Sequence, residues 1–266
     1  MKSSKVSFYF GVGLFATLAL VAVLAPLIAP YDPIAQDLLH TLANPSTQHL
    51  LGTDQLGRDV MSRLIWGARI DLTIGVLAVL LPFIVGTLLG LISGWRGGLF
   101  DTLLMRFVDI TIAFPFYVLA IALVVVLGAG AKSIIIAISL VGWVAYCRIV
   151  RANVLVTKEL DYIHAAKLSG LPTRRILLKH IFPNVISQAI VFSMSDIVLS
   201  ILAIVSLGYL GLGIPIPTPE WGSMIQEGQA YILAQWWIAT IPGVMVVLTG
   251  LSLSLIGDGL VKRLDH

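Results

Sequence analysis

Apolar residues in this chain come in runs far longer than an amphipathic repeat would leave. Six stretches, approximately Val6–Ala29, Leu72–Gly94, Leu103–Leu127, Ser133–Val150, Val185–Gly211 and Leu233–Ile256, carry few ionisable side chains. A helix rises about 1.5 Å per residue, so about 20 such residues cross a hydrocarbon core about 30 Å thick. The pattern predicts an all-α, polytopic membrane protein with six transmembrane helices. Three polar segments separate the runs, at Pro30–Asp71, Arg151–Asn184 and Gly211–Ala234, and the other connections are short. No soluble unit large enough to bury its own core is present, so residues 1–266 read as one transmembrane domain.

Composition agrees with the pattern: 58% of residues are hydrophobic and 12% charged, against about 25% charged in soluble domains. The first run follows Lys2 and Lys5 but spans 24 residues. An export signal has an apolar core of about 7 to 15 residues, so this run is expected to stay as an anchor. Cys147 is the single cysteine, which excludes an internal disulfide and leaves it as a packing residue.

Charge sets the orientation. With the N-terminus inside and six alternating spans, the inside receives Lys2, Lys5, Arg96, Arg106, Arg148, Arg151, Lys158, Lys167, Arg174, Arg175, Lys179, Lys262 and Arg263, and the outside only Arg58, Arg63, Arg69 and Lys132. Thirteen against four obeys the positive-inside rule, with both termini cytoplasmic. Basic charge here therefore reports topology and is no argument for nucleic acid.

The outer segment His49–Leu72 places Gly52 and Gly57 at tight turns, with Thr53 or Asp54 as a cap and a short amphipathic helix leading into the second span. Arg58, Asp59 and Arg63 are expected to pair locally. Pro215, Pro217 and Pro219 predict an extended, stiff connector before the last span, with Trp221 at the membrane interface. Within the spans, ionisable residues are costly and so draw scrutiny. Arg106 and Asp109 sit at pairing distance on one face of the third span. Asp196 falls halfway along the fifth, near Ser193, Ser195 and Ser200, where it either lines a path or hydrogen-bonds a neighbouring helix. Phe114-Pro115-Phe116 and Pro242-Gly243 predict bent helices.

Enzyme constellations are missing. The histidines, His40 and His49 outside, His164 and His180 inside and His266 at the end, have no metal-ligand spacing. No glycine-rich phosphate loop ends in Lys followed by Ser or Thr. Any ATP hydrolysis would belong to a partner. A secondary transporter would be expected to carry inverted repeats and midplane ligands, for which only Asp196 qualifies, and an intramembrane enzyme would need a nucleophile beside a base.

The inner segment is helix-forming from Lys158 to Ser169, with Leu160, Ile163 and Ala166 on one face. Gly170 ends that helix, and a second runs from about Pro172 or Thr173 to Phe182, ending at Pro183. Read from its residues alone, it either docks a partner through the small Ala165, Ala166 and Gly170 or rests on anionic lipid through Lys167, Arg174, Arg175 and Lys179.

His164-Ala165-Ala166, three residues, Gly170, nine residues, His180, Ile181, Phe182 and Pro183 resembles the EAA loop of ABC importer permeases. The pattern there is Glu-Ala-Ala, three residues, Gly, nine residues, Ile, any residue, Leu-Pro, so His164, His180 and Phe182 depart from it. Leu51–Leu72, Arg106–Ile121, Leu207–Gly228 and Ile256–Asp265 resemble hallmark segments of the dipeptide, oligopeptide and nickel importer permeases, in order along the chain. The resemblance implies a type I importer-like fold and a pore subunit for di- or oligopeptides, with nickel or another small solute as the alternative. It also implies a second related permease, two ATP-binding subunits that hold ATP and magnesium, and a solute-binding protein. His164, Ala165, Ala166, Gly170 and Pro183 would form the coupling surface for the ATP-binding partner.

Overall fold

A computed structural model of the chain describes residues 2–264; Asp265 of the terminal segment and His266 lie outside the described residues. The described residues contain no strand beyond one isolated bridge between Thr53 and Asp59. The helices are α1 (Lys2–Ile28), α2 (Val60–Arg96), α3 (Gly98–Ala113), α4 (Phe116–Leu127), α5 (Ala131–Thr157), α6 (Asp161–Leu168), α7 (Thr173–Ile176), α8 (Phe182–Tyr209), α9 (Trp221–Gln229) and α10 (Trp237–Leu264).

Among the described residues five rods are long and apolar enough to cross a membrane: α1, α2, α5, α10 and the continuous helix Thr173–Tyr209. The third predicted span is two arms, α3 and α4, meeting at 89°. Phe114 is extended (φ −88°, ψ 134°) and Pro115 opens α4 without an N–H to give, so the expected bend sits at the Phe-Pro-Phe step. α4 alone has 12 residues, about 18 Å of helix, too short for a bilayer core. A sixth crossing therefore requires both arms.

Several boundaries differ from the expectation. No separate amphipathic helix precedes the second span, because Asp59, not Thr53 or Asp54, caps a single 37-residue helix by accepting the Ser62 N–H at 2.7 Å. The helix that begins at Thr173 does not stop at Pro183. Leu177–Ile181 widen into a π turn that carries it into α8, where the Phe182 N–H reaches back to the Leu177 carbonyl. Pro183 cannot donate to the Lys179 carbonyl, and the Asn184 side-chain amide donates 2.6 Å to that of His180. A proline one turn from a π bulge costs little because the ladder there is already shifted. Likewise α10 continues through Pro242-Gly243, and the segment before it is not wholly extended, since Trp221–Gln229 is helical.

Packing follows the small residues. α2 and α5 run parallel, and a side chain at Gly86 or Gly90 would strike the Trp143 or Cys147 carbonyl of α5, while one at Gly94 would meet Val154 at 2.8 Å. Glycine at every fourth position thus lets two backbones touch, as membrane helices do where hydrophobicity offers no drive between them. α8 lies antiparallel against both, with Ile201 over Gly75. α10 packs on α8 and α1 on α10, where Arg263 stands 3.9 Å over the Phe8 ring. Cys147 is buried in this core, as expected of a packing residue.

Candidate coupling surface and membrane cavity

The α6 end is built by a helix stop. Gly170 takes φ +73°, the left-handed conformation that only glycine adopts without strain. There the Leu171 N–H bonds the Ala166 carbonyl at 3.2 Å and the Gly170 N–H that of Lys167 at 3.0 Å, the paired bonds of a Schellman cap. The reversal turns Ile163 and Ala166 inward, with Ile176 and Ile181, and leaves His164, Ala165 and Gly170 outside. The Lys167 ammonium lies 4.9 Å over the Trp95 ring at the end of α2, and the Tyr162 hydroxyl accepts from Asn184 of α8 at 3.0 Å. Leu160, expected on the inward face, is instead exposed as the residue before the helix. His164 reaches only the exposed Glu159 carboxylate, at 3.7 Å, a surface contact of little energetic weight. At the tip, Leu168 is 90% exposed.

Midway along the bundle, a cavity of about 470 Å³ opens between the α3–α4 break, α5 and α8. Phe114, Pro115, Tyr117 and Phe192 are in its wall, and Asp196 is the one carboxylate. The Tyr146 hydroxyl donates to Asp196 Oδ2 at 2.9 Å, and Phe83 and Phe192 hold the Tyr146 ring edge-on at 5.6 and 4.9 Å. Asp196 thus does both things open to it, lining a space and accepting from a neighbouring helix. Arg106 and Asp109 do not pair: Arg106 is exposed without an ion pair among the described residues, and Asp109 takes Arg148 of α5 at 3.0 Å. The other α3 carboxylate, Asp101, accepts from Arg151 at 2.5 and 2.6 Å, tying α3 to α5.

At the α9 end, Gly52 and Gly57 turn the chain with φ of +71° and +72°. Arg58 Nε donates 2.6 Å to Asp54, and Arg58 and Arg63 both donate to Glu227 Oε2, at 2.8 and 2.9 Å. Asp59 takes His49 and Ser62. Arg58, Asp59 and Arg63 therefore do not pair with one another as expected: Asp59 takes no arginine, and Arg58 and Arg63 turn to Asp54 nearby and to Glu227 of α9 from far along the chain. Trp221, expected at an interface, is fully buried: its indole N–H donates to the Leu64 carbonyl at 3.2 Å and its backbone N–H to Asp71 Oδ2 at 2.9 Å. Glu220 caps α9 through the Gly222 and Ser223 N–H groups, and burial pushes its carboxyl up to about 7 against those same bonds.

Residues 86–266 match the family described as binding-protein-dependent transport system inner membrane component, and residues 5–45 the N-terminal TM domain of oligopeptide transport permease C. The chain belongs to the binding-protein-dependent inner membrane permeases. This permease is 42% identical over 250 residues to the di/tripeptide transport system permease protein DppC of Pseudomonas aeruginosa, covering 92% of this chain and 82% of that one. It is 38% identical over 256 residues to the dipeptide permease DppC of Bacillus subtilis, with 95% and 80% covered. With the glutathione permease GsiD of Pectobacterium atrosepticum it shares 39% over 257 residues, with 95% and 85% covered. Its fold is similar to that of a chain of the MetNI methionine ABC transporter, solved in inward-facing conformations, with a TM-score of 0.61 at 17% identity, covering 77% of this chain and 97% of that one. The chain is a multi-pass permease of the ABC importer class.

Asp71, Glu220 and Glu227 carry contacts that the hydropathy pattern does not signal. Asp71 lies just before the apolar run from Leu72, in the water-side turns of a helix that begins at Val60. Glu220 had a signal: an acidic side chain directly before Trp-Gly-Ser is a helix N-cap pattern, masked by the prolines ahead of it.

Proposed function

We propose that this permease is the pore subunit of an ATP-driven peptide importer, pairing with a second related permease above two ATP-binding subunits and receiving di- or oligopeptides from a solute-binding protein. The names of its relatives support peptides as cargo. ATP and magnesium would be held by the partner subunits, and this chain would contribute motion. The charge count puts the α6 end in the cytoplasm. In this reading α3 and α4 together make the sixth crossing, both termini share the cytoplasmic side of the bacterial inner membrane, and α9 lies outside.

The observation that carries the reading is mechanical. α6 and α7 form a capped hairpin whose tip exposes Leu168, and α7 runs without a break into the 37-residue rod ending at Tyr209. An ATP-binding subunit that seats this tip in a groove, against Ala165 and Gly170, moves α8 as a lever. α8 carries Asp196 past the membrane cavity and ends against Glu220 at the far side. Such a rod couples a cytoplasmic closure to an outer opening as a switch between two packings.

The test is reconstitution of the permease with its cognate subunits in proteoliposomes. The reading expects labelled dipeptide uptake that needs both ATP and the binding protein. Uptake by this chain alone, driven by an ion gradient, would overturn it.

A further inference from the structure

Asp196 is a carboxyl group without a cationic partner among the described residues. No Lys, Arg or His lines the cavity it faces, and it forms no ion pair among the described residues. Its one polar neighbour is Tyr146, on Oδ2, and no described group donates to Oδ1. The rest of the wall is mostly apolar and aromatic, including Phe114, Tyr117 and Phe192, with Thr111 and Tyr117 as its hydroxyl-bearing residues. A carboxylate at membrane depth is costly unless something positive compensates it, and aromatic faces beside it suit an ammonium ion in particular. The cavity, about 470 Å³, falls within the range of small-molecule sites.

We infer that Asp196 is a transit site for the α-ammonium group of a passing peptide, with the free Oδ1 accepting from the cation, and that the Tyr146 bond to Oδ2 is a tie between α5 and α8 that the site does not need. The inference rests on the peptide reading above. The site is transient by construction: one charge-assisted contact in an aromatic wall holds a cation long enough to guide it and releases it when α8 moves. It also gives the α3–α4 break a role, since the bend at Pro115 opens the wall that Asp196 faces.

Two substitutions separate this role from a helix tie. Asp196→Asn keeps an oxygen that accepts from Tyr146 but removes the charge; Tyr146→Phe removes the tie but keeps the charge. Both are measured in the full reconstituted complex, as uptake of a labelled neutral dipeptide with a free amino terminus and as binding-protein-stimulated ATP hydrolysis. Loss of a charge-assisted contact predicts uptake reduced about tenfold in Asp196→Asn, hydrolysis within about twofold of wild type, and near-normal uptake in Tyr146→Phe. Asp196→Glu restores uptake. Wild-type uptake in Asp196→Asn, or a Tyr146→Phe loss as large as that of Asp196→Asn, overturns the inference and leaves the peptide reading intact. A wild-type complex that imports no dipeptide overturns the peptide reading and this inference with it. Should Asp196→Asn fail to assemble, Asp196→Glu and Tyr146→Phe decide: uptake kept in both supports the site, and uptake lost in either removes it.

Discussion

Arg58 and Glu227 lie 169 residues apart in the chain and 2.8 Å apart in space, and the same Glu227 oxygen takes Arg63 at 2.9 Å. Both guanidinium groups are nearly inaccessible, so they lean on Asp54 and Glu227 for compensation. Removing one partner of a buried pair typically costs about 3–5 kcal/mol, because the stranded charge stays buried. Glu227→Ala is therefore expected to lower the melting temperature in detergent sharply, and to free α9 from α2 in a proteolysis assay. The exposed His40–Asp37 pair, with side chains 61% and 49% accessible, is the control: Asp37→Asn should leave melting unchanged. Equal effects of the two variants would remove the network as the clamp on α9.

The tip of the α6–α7 hairpin separates coupling from folding. Leu168 is 90% exposed and contributes nothing to the core, so Leu168→Asp should leave melting unchanged while abolishing peptide-stimulated ATP hydrolysis in the assembled complex. Gly170→Ala acts differently. Open space surrounds the site, but φ is +73°, and a left-handed residue with a Cβ costs about 1–2 kcal/mol. That variant should loosen the hairpin, seen as faster amide exchange at Gly170 and Leu171, and weaken coupling in part. Intact coupling in Leu168→Asp would sink the lever.

The helices were legible where composition alone decides them. Twenty apolar residues in a row have one stable answer in lipid, so the spans were found, as was the bend at Pro115, where the freed backbone is local. Boundaries were not, because a water-side helix joined to a span carries no marker: α2 starts at Val60, twelve residues before the apolar run from Leu72, and the π turn before Pro183 has no sequence sign. Gly170 was read correctly because a helix stop is local chemistry. Glu227 was invisible for the opposite reason, since its partners sit at the other end of the chain. Asp196 was visible as a lone carboxylate in an apolar run, but its cavity depends on three separate elements.

Contact between α2 and α5 sets a second stability test. The Cβ of Gly90→Ala meets the Cys147 carbonyl, and backbone cannot step aside as a side chain can. Overpacking of this kind costs about 1–3 kcal/mol. At Gly142, by contrast, an added Cβ stands 3.3 Å from the Pro82 ring, a distance that a small shift relieves. Gly90→Ala should lower melting clearly and Gly142→Ala little. A reversed order would mean that α2 and α5 are not in backbone contact.

Glu220 makes the α9 end sensitive to pH, in a direction opposite to that of ordinary surface carboxylates. Burial raises its carboxyl from 4.5 to about 7, so between these values the folded protein holds a proton that the unfolded chain has released. Stability falls with rising pH wherever the folded state binds more protons. Its contribution is thus fully present below 4.5 and is lost as pH rises through about 7. The wild-type melting temperature, relative to that of Glu220→Gln, should decline from pH 5 to pH 8. The glutamine variant removes this titration while keeping an oxygen for the cap, so subtracting its curve reports Glu220 together with the acidic neighbours Asp71 and Glu227 whose charge it feels. Parallel curves for the two proteins would show that Glu220 keeps its ordinary acidity and that α9 is held by the Arg58–Arg63–Glu227 cluster without it.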